Sequence, residues 1–211
     1  MILIKKQHQP EKFREYVNSD KAHFDDMPTE IKSLLRKALL QEQGYLCAYC
    51  MTKISDAQNV KIEHFVPRNT KNELDYSNLL AVCKGGEGRP YSRQTCDSHK
   101  KDILINVNPQ SASDIETISY TRNGYIKSSI PAYQRDLDET LNLNDERGYL
   151  IDNRSEALKS FQRQLYHKLG KTNASREFLI KCLRQCSSLD KNGEYIPYVG
   201  IIIYYLQRRI G

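Results

Sequence analysis

The chain has 211 residues, of which 39% are hydrophobic and 27% charged, and its net charge is +6. This composition excludes intrinsically disordered and collagen-like chains. The longest apolar stretch, 198–206, is interrupted by Gly200 and is shorter than the ~20 residues that span a bilayer. The N-terminal residues have no apolar run typical of a signal peptide. We therefore expect a soluble cytoplasmic protein without membrane contact.

The first two thirds of the chain change from helical to strand-like patterning. Apolar residues at helical spacing predict a helix over 28–43, after a weaker helical pattern over 10–24. Short apolar runs then predict strands at 60–62 and 79–82, and the glycine-rich segment 84–95 predicts an irregular loop. A hairpin is expected over 115–130, because Asn123-Gly124 favours a type I′ turn.

The remaining segments are predicted to be helical, over 132–141, 153–170, 173–187 and 197–209. The excess positive charge lies on the second and third of these helices. Because their other faces are apolar, we expect a surface basic patch that is solvated, binds phosphate or faces a protein partner. Its members are Arg154, Lys159, Arg163, Lys168, Lys171, Arg176, Lys181 and Arg184.

Six cysteines in a chain without an export signal are poor disulfide candidates, so their spacing matters more. Cys47 and Cys50 form a C-x2-C pair, and Cys83 and Cys96 follow with the glycine-rich loop between them. Four thiolates suit a tetrahedral structural Zn²⁺ without an open position, while ordinary buried thiols are the alternative. Cys182 and Cys186 lie on the apolar side of a predicted helix and are expected to be core thiols.

A second group of motifs lies between and after these cysteines. Ile62-Glu63-His64-Phe65-Val66-Pro67 precedes Asp75-Tyr76-Ser77-Asn78-Leu79-Leu80, and Cys96-Asp97-Ser98-His99-Lys100 follows. In this order the motifs resemble the HNH, or ββα-metal, nucleases. The resemblance covers most of the chain and extends to the HNH nuclease subunit of retron-associated and Septu anti-phage defence systems.

His64 suits a general base, because an imidazole with a pKa near 6.5 accepts protons at neutral pH. The resemblance implies that Glu63 is a ligand of a catalytic Mg²⁺ or Mn²⁺ ion. Asp97 stands where the family has Asn or His as the other metal ligand, and its carboxylate suits Mg²⁺. His99 is an alternative participant that could contact the metal or the scissile phosphate.

Asn78 is expected to bridge the backbone of the loop that carries His64 and to orient that loop. Lys100 and Lys101 are expected either to hold phosphate at the start of a helix or to be solvated. Both interpretations of the lysines stay open from the sequence.

These features predict an α+β fold with a small zinc-stabilised ββα-metal core. The core, 46–105, would lie between an N-terminal helical segment, 1–45, and a C-terminal region, 106–211, containing the β-hairpin, helices and basic patch. The chain has no Gly-rich phosphate loop with Lys-Ser/Thr and should not hydrolyse ATP itself.

The predicted function is metal-dependent endonuclease activity on nucleic acid, with DNA favoured. The resemblance implies an effector subunit that works with an ATPase partner subunit, and possible retron partners are a reverse transcriptase and its RNA-linked DNA. One alternative is an RNA nuclease acting on substrates such as tRNA. The other is an inactive zinc-stabilised module that binds nucleic acid or a protein.

Overall fold

The computed structural model describes residues 1–169 and 174–211. Helices and two small antiparallel sheets alternate along the first part of the chain, and three helices of 11 to 20 residues form its C-terminal part. The elements are α1 (Glu11–Val17), α2 (Thr29–Glu42), β1 (Val60–His64), β2 (Leu79–Cys83), α3 (Cys96–Lys100), α4 (Ala112–Glu116), β3 (Ile118–Tyr120), β4 (Ile126–Ser128), α5 (Pro131–Arg135), α6 (Leu150–Leu169), α7 (Arg176–Cys186) and α8 (Val199–Ile210).

The first sheet consists of β1 and β2, which pair with Val60 opposite Cys83 and His64 opposite Leu79. Every residue of β2 is buried, while β1 has a mixed pattern of burial. The five-residue helix α3 packs against β2 and completes a β-β-α unit. The predicted strands and the predicted α+β class are therefore confirmed.

The side chain of Gln43 joins α2 to this sheet. Its amide nitrogen donates to the carbonyls of Leu46 at 2.9 Å and Ala81 at 2.8 Å, and its oxygen accepts from the Ala81 amide at 2.8 Å. Gln43 is buried, so these hydrogen bonds replace water for three backbone groups. They hold the segment that enters the first cysteine pair against β2.

The second sheet is the predicted hairpin, but its turn differs from the type I′ prediction. Gly124 has φ of +93°, whereas Asn123 is not among the residues with positive φ, which a type I′ turn requires at both positions. The Gly124 amide instead donates to Thr121 O at 3.1 Å, so the loop has three residues and ends in glycine. A Cβ on Gly124 would lie 2.1 Å from Ile151 O, and only glycine permits this approach to α6.

The helical predictions are confirmed with changes at their ends. The pattern over 10–24 becomes only α1, because the chain turns after Val17. The helix predicted over 132–141 starts as α5 and continues as a π-helical turn over Asp136–Thr140. Within the described residues, no helix is both long and apolar enough to cross a membrane.

One hydrophobic cluster contains residues from every part of the described chain. Phe13 of α1, Leu35 of α2, Leu79 of β2 and Leu206 of α8 all belong to it and are fully buried. The sheet that carries Glu63 and His64 therefore packs within a core that includes both helical regions.

The structure corrects the predicted basic patch at Arg154. This side chain is fully buried, and its guanidinium donates to Gly124 O at 2.5 Å, Leu143 O at 2.7 Å and Asn144 Oδ1 at 3.2 Å. It therefore joins α6 to the hairpin and cannot form a surface patch. Lys171 and the side chain of Lys168 lie outside the described residues, and the exposed members are Lys159, Arg163, Arg176, Lys181 and Arg184.

Candidate functional site

The four predicted cysteine ligands lie together in one buried cluster. Their sulfur atoms are all within 4.8 Å of one another, and neighbouring pairs are 3.7 Å apart for Cys50–Cys83 and 3.8 Å for Cys47–Cys96 and Cys83–Cys96. Four sulfurs at about 2.3 Å from a tetrahedral Zn²⁺ would be about 3.8 Å apart. The cluster thus has the size and the ligand chemistry to hold zinc.

Local backbone geometry brings these cysteines together. In the first pair the Met51 amide donates to Cys47 O at 3.1 Å, and the Cys47 amide donates to Thr52 O at 3.0 Å, which closes a tight turn. In the glycine-rich loop, Gly85 has φ of +53° and a Cβ there would lie 2.1 Å from Thr95 O. This close approach allows Cys96 to return to Cys83 across twelve intervening residues.

Contacts from distant segments support the cluster. The Cys96 amide donates to Leu141 O at 2.9 Å, and the backbone amide of Tyr198 donates to Met51 O at 3.0 Å. The Tyr198 hydroxyl lies 3.1 Å from Thr52 Oγ1, which itself lies 3.1 Å from Cys50 Sγ. The C-terminal half of the chain therefore contacts both cysteine pairs.

Glu63 and Asp97 form a pair of carboxyl groups beside this cluster. Burial, followed by the hydrogen bond with Asp97, raises the pKa of Glu63 to about 8. Burial also raises the pKa of Asp97, but hydrogen bonds from Glu63 and Lys61 outweigh it and the net pKa is lowered. At neutral pH the two groups share one proton, and their oxygen atoms are the hard donors that Mg²⁺ prefers.

Polar side chains surround this carboxyl pair. The Tyr49 hydroxyl donates to Glu63 Oε1 at 2.9 Å, and Lys61 Nζ lies 2.5 Å from Asp97 Oδ2. Lys61 and Glu63 are two residues apart on β1, and this spacing places both on one strand face. The sequence predictions omitted Tyr49 and Lys61, although Tyr49 lies inside the C-x2-C motif and Lys61 has the strand spacing.

The structure corrects the predicted place of Lys100. It is the last residue of α3, it is only 1% exposed, and its ammonium lies 2.8 Å from Glu63 Oε1. It is therefore neither solvated nor at the start of a helix, and its charge faces the carboxyl pair. Lys101 follows the helix and is exposed, so its predicted phosphate contact stays a prediction.

His64 ends β1 and is half-buried. Its Nε2 lies 3.0 Å from Glu73 O, and its ring contacts the Phe24 ring edge-on at 4.6 Å between centroids. Since a carbonyl can only accept, Nε2 carries the proton and Nδ1 is left as the proton acceptor. Burial lowers the pKa of His64, which keeps the imidazole neutral at neutral pH.

Asn78 makes the bridge predicted for it. Its Oδ1 accepts from the Val66 amide at 2.7 Å, and its Nδ2 donates to Val66 O at 3.0 Å. Both hydrogen bonds fix the chain two residues after His64. The expected contribution of Asn78 to catalysis stays a prediction.

His99 is held at a different place from the carboxyl pair. Its Nδ1 lies 3.0 Å from Thr140 O, and its ring stacks on Tyr91 at 4.1 Å between centroids with an interplanar angle of 15°. The Tyr91 hydroxyl also donates to His99 O at 2.9 Å. The hydrogen bond to Thr140 O thus occupies one ring nitrogen of His99. A direct contact of His99 with the metal or the scissile phosphate stays a prediction.

Comparison with known proteins assigns the region around these residues. Residues 47–85 match the family model for HNH endonuclease. This range contains Glu63, His64 and Asn78 together with three of the four clustered cysteines, and it ends before Cys96 and Asp97.

Two curated proteins are similar to parts of the chain. The "Retron Vc95 putative HNH endonuclease" of Vibrio cholerae serotype O1 biovar El Tor is 33% identical over 101 residues, which cover 46% of this chain and 47% of that protein. The "Retron Ec83 putative HNH endonuclease" of Escherichia coli is 38% identical over 80 residues, covering 31% of each. The chain thus spans about half the length of the first relative and less of the second.

Proposed function

We propose that the chain is a metal-dependent nuclease that hydrolyses phosphodiester bonds, because residues 47–85 match the HNH endonuclease family model and parts of the chain are similar to two retron putative HNH endonucleases. The observation that carries the proposal is the hydrogen-bonded pairing of Glu63 with Asp97 at the end of β1, where His64 is the next residue of the strand. Phosphodiester hydrolysis needs a base for water and a cation at the phosphoryl group, and these residues supply the base and the cation ligands.

His64 would act as the general base. Its Nδ1 takes a proton from water, while the hydrogen bond from Nε2 to Glu73 O holds the ring and disperses the positive charge that develops. Asn78 keeps the following loop in place through Val66. Attack on phosphorus in line with the leaving group would give a 5′-phosphate and a 3′-hydroxyl end, as in the family.

Glu63 and Asp97 would hold the catalytic cation. When bound, Mg²⁺ or Mn²⁺ supplies positive charge against the phosphoryl group and the leaving oxygen. Glu63 must give up its shared proton to act as a ligand, and the adjacent ammonium of Lys100 favours the ionised carboxylate. The tetrahedral cysteine cluster would hold zinc as a structural ion.

The decisive experiment is nicking of plasmid DNA by His64→Ala in the presence of Mg²⁺ or Mn²⁺. We expect loss of cleavage with zinc content and melting temperature unchanged, whereas the exposed His8→Ala variant should cleave like the parent. A pure His64→Ala preparation that still nicks DNA would exclude His64 as the base. Parallel reactions with single-stranded RNA and tRNA decide whether the substrate is DNA or RNA.

The proposed nuclease would be the effector subunit of an anti-phage defence complex in the cytoplasm. The retron names of both relatives support this context. An ATPase partner subunit and a reverse transcriptase with its RNA-linked DNA are the partners that we propose. We propose that 46–105 is the nuclease core, that 1–45 is its N-terminal helical segment, and that 106–211 carries partner contacts. Co-purification with the products of neighbouring genes tests this assignment, and a chain that binds no ATPase would contradict it.

The exposed basic residues of α6 and α7 would attract the nucleic acid. Arg163 and Lys181 are exposed on these two helices, outside the β-β-α unit. Binding through such residues should weaken steeply with salt because it releases counterions. An inactive binding module would show this salt dependence without cleavage, and the presence of both Glu63 and His64 argues against that alternative.

A further inference from the structure

A cavity of about 320 Å³ lies between the loop that follows β2 and the start of α6. Its walls include Arg89 and Arg93 from the loop and Arg147 from the segment before α6. Thr95, which precedes the cluster ligand Cys96, forms part of its floor. The volume suits a small ligand of about the size of one nucleotide.

The arginines leave hydrogen-bond donors available at this cavity. Arg93 Nη1 donates to Arg147 O at 2.7 Å, and Arg147 Nε lies 3.5 Å from Asp145 Oδ1. The Arg89 guanidinium makes no hydrogen bond or ion pair with any described residue. Guanidinium groups pair with phosphate through two parallel hydrogen bonds, so the arginines of this cavity offer donors suited to a phosphate group.

The N-terminus of α6 adds further positive character. Asn153 is the first residue of α6 whose backbone amide donates to the carbonyl four residues earlier, Tyr149 O, at 2.9 Å. The preceding amides of Leu150, Ile151 and Asp152 have no acceptor among the described residues. Free amides and the dipole of this 20-residue helix favour an anion at its N-terminus.

Two buried polar atoms on the cavity wall have no hydrogen-bond partner among the described residues. They are Thr95 Oγ1, in a residue that is 5% exposed, and Asp145 Oδ2, in a side chain that is 7% exposed. A carboxylate oxygen can only accept, so a ligand that satisfies Asp145 must bring an N–H or O–H group. Inorganic phosphate can donate through its P–OH groups, but it carries no base that could stack on the exposed ring of Tyr149 at this cavity.

A nucleotide carries both of the required chemistries. Its phosphate matches the arginines and the helix N-terminus, while a ribose hydroxyl or a base amino group donates hydrogen bonds. Tyr149 also lines the cavity and is 41% exposed, so its ring is available for stacking on a base.

We infer that this cavity binds one nucleotide unit, with its phosphate at Arg89, Arg93 and the start of α6 and its base against Tyr149. The nucleotide could be free or part of a single strand. Binding of a single strand rests on the proposed nuclease function, since the cavity would then be a subsite that holds the strand near the cysteine cluster. Binding of a free nucleotide does not rest on it.

The test is binding by the full zinc-loaded chain of three probes, namely inorganic phosphate, AMP and a short fluorescent single-stranded oligonucleotide. The His64→Ala background prevents cleavage, so failure of the nuclease proposal leaves the binding result readable. Arg89→Ala removes a free surface side chain of the cavity. Arg122→Ala, an exposed arginine elsewhere, is the matched control for loss of charge.

We expect AMP to bind more tightly than inorganic phosphate, and Arg89→Ala to weaken binding at least about tenfold while Arg122→Ala leaves it unchanged. Tyr149→Ala should weaken AMP binding without weakening phosphate binding, because phosphate has no base to stack on the ring. If Arg89→Ala weakens the binding of AMP and the oligonucleotide does not bind, the ligand is a free nucleotide. If Arg89→Ala weakens the binding of the oligonucleotide, the ligand is a nucleotide within a single strand. AMP no tighter than phosphate, or equal effects of Arg89→Ala and Arg122→Ala, would overturn the inference.

Discussion

Replacing Arg154 with methionine is expected to destabilise the fold strongly, although this residue looks like one surface charge among many. The buried guanidinium is the donor for Gly124 O and Leu143 O. Leaving a buried carbonyl without a donor costs about 1–3 kcal/mol, so the two together cost about 2–6 kcal/mol. Burial lowers the pKa of Arg154 to about 10, and removing its charge recovers part of that burial penalty.

The lower part of this range, about 2–4 kcal/mol, is therefore the expected loss. For a chain of this size each kcal/mol shifts the melting temperature by about 2–4 °C, so Arg154→Met should melt about 4–16 °C below the parent. Thermal unfolding followed by circular dichroism measures this shift.

Arg163→Met is the matched control, because Arg163 lies on the same helix with 69% of its side chain exposed. Its melting temperature should stay within about 2 °C of the parent. The two substitutions should have the opposite ranking in a nucleic-acid binding assay. Arg163→Met should weaken the affinity, whereas Arg154→Met protein that is still folded should bind like the parent. An Arg154→Met protein that melts with the parent would refute the burial argument.

Further predictions concern the metal cluster and two buried polar side chains. Chelation of zinc should lower the free energy of unfolding by more than about 4 kcal/mol, as followed by metal analysis and thermal unfolding, and an unchanged melting temperature would contradict a structural zinc. Gln43→Ala should lose about 2–4 kcal/mol in urea denaturation, because buried backbone groups lose their partners, while the exposed Gln41→Ala should change by less than about 0.5 kcal/mol. Lys100→Met should lose about 1–3 kcal/mol because Glu63 loses its buried partner, whereas equal denaturation midpoints for Lys100→Met and the exposed Lys101→Met would argue against this pairing.

The cysteine cluster and the Glu63-His64 pair were predictable because their signals are short-range. Two residues between Cys47 and Cys50 fix a turn, and a glycine-rich loop allows Cys96 to return to Cys83. Similarly, the two strands are short apolar runs whose pairing needs only a connection between them.

The burial of Arg154 was missed because a sum of charges ignores helical phase. Arg154, Leu158, Phe161 and Leu165 recur at i, i+4, i+7 and i+11, which is the spacing of the apolar face of α6. The signal was therefore present in the sequence and would have separated Arg154 from Arg163.

The cavity between the loop after β2 and the start of α6 depends on contacts that the sequence does not specify locally. Arg93 meets Arg147 across 54 residues, and the loop that carries Arg93 is irregular by composition. Likewise, the hairpin turn contains one residue more than the Asn-Gly motif suggested, because Gly124 must pass closely over α6. These features follow from tertiary packing, which overrides local preference.

The hydrogen bonds that reach the cysteine cluster from Leu141 and Tyr198 have a consequence for protein engineering. A chimaera that transplants only residues 46–105 into another scaffold would carry every proposed metal ligand, yet it would leave the Cys96 amide and the Met51 carbonyl without their acceptor and donor. Such a transplant must also include the segments around 141 and 198. Substitutions in those segments can therefore alter the metal cluster during divergence without changing any ligand.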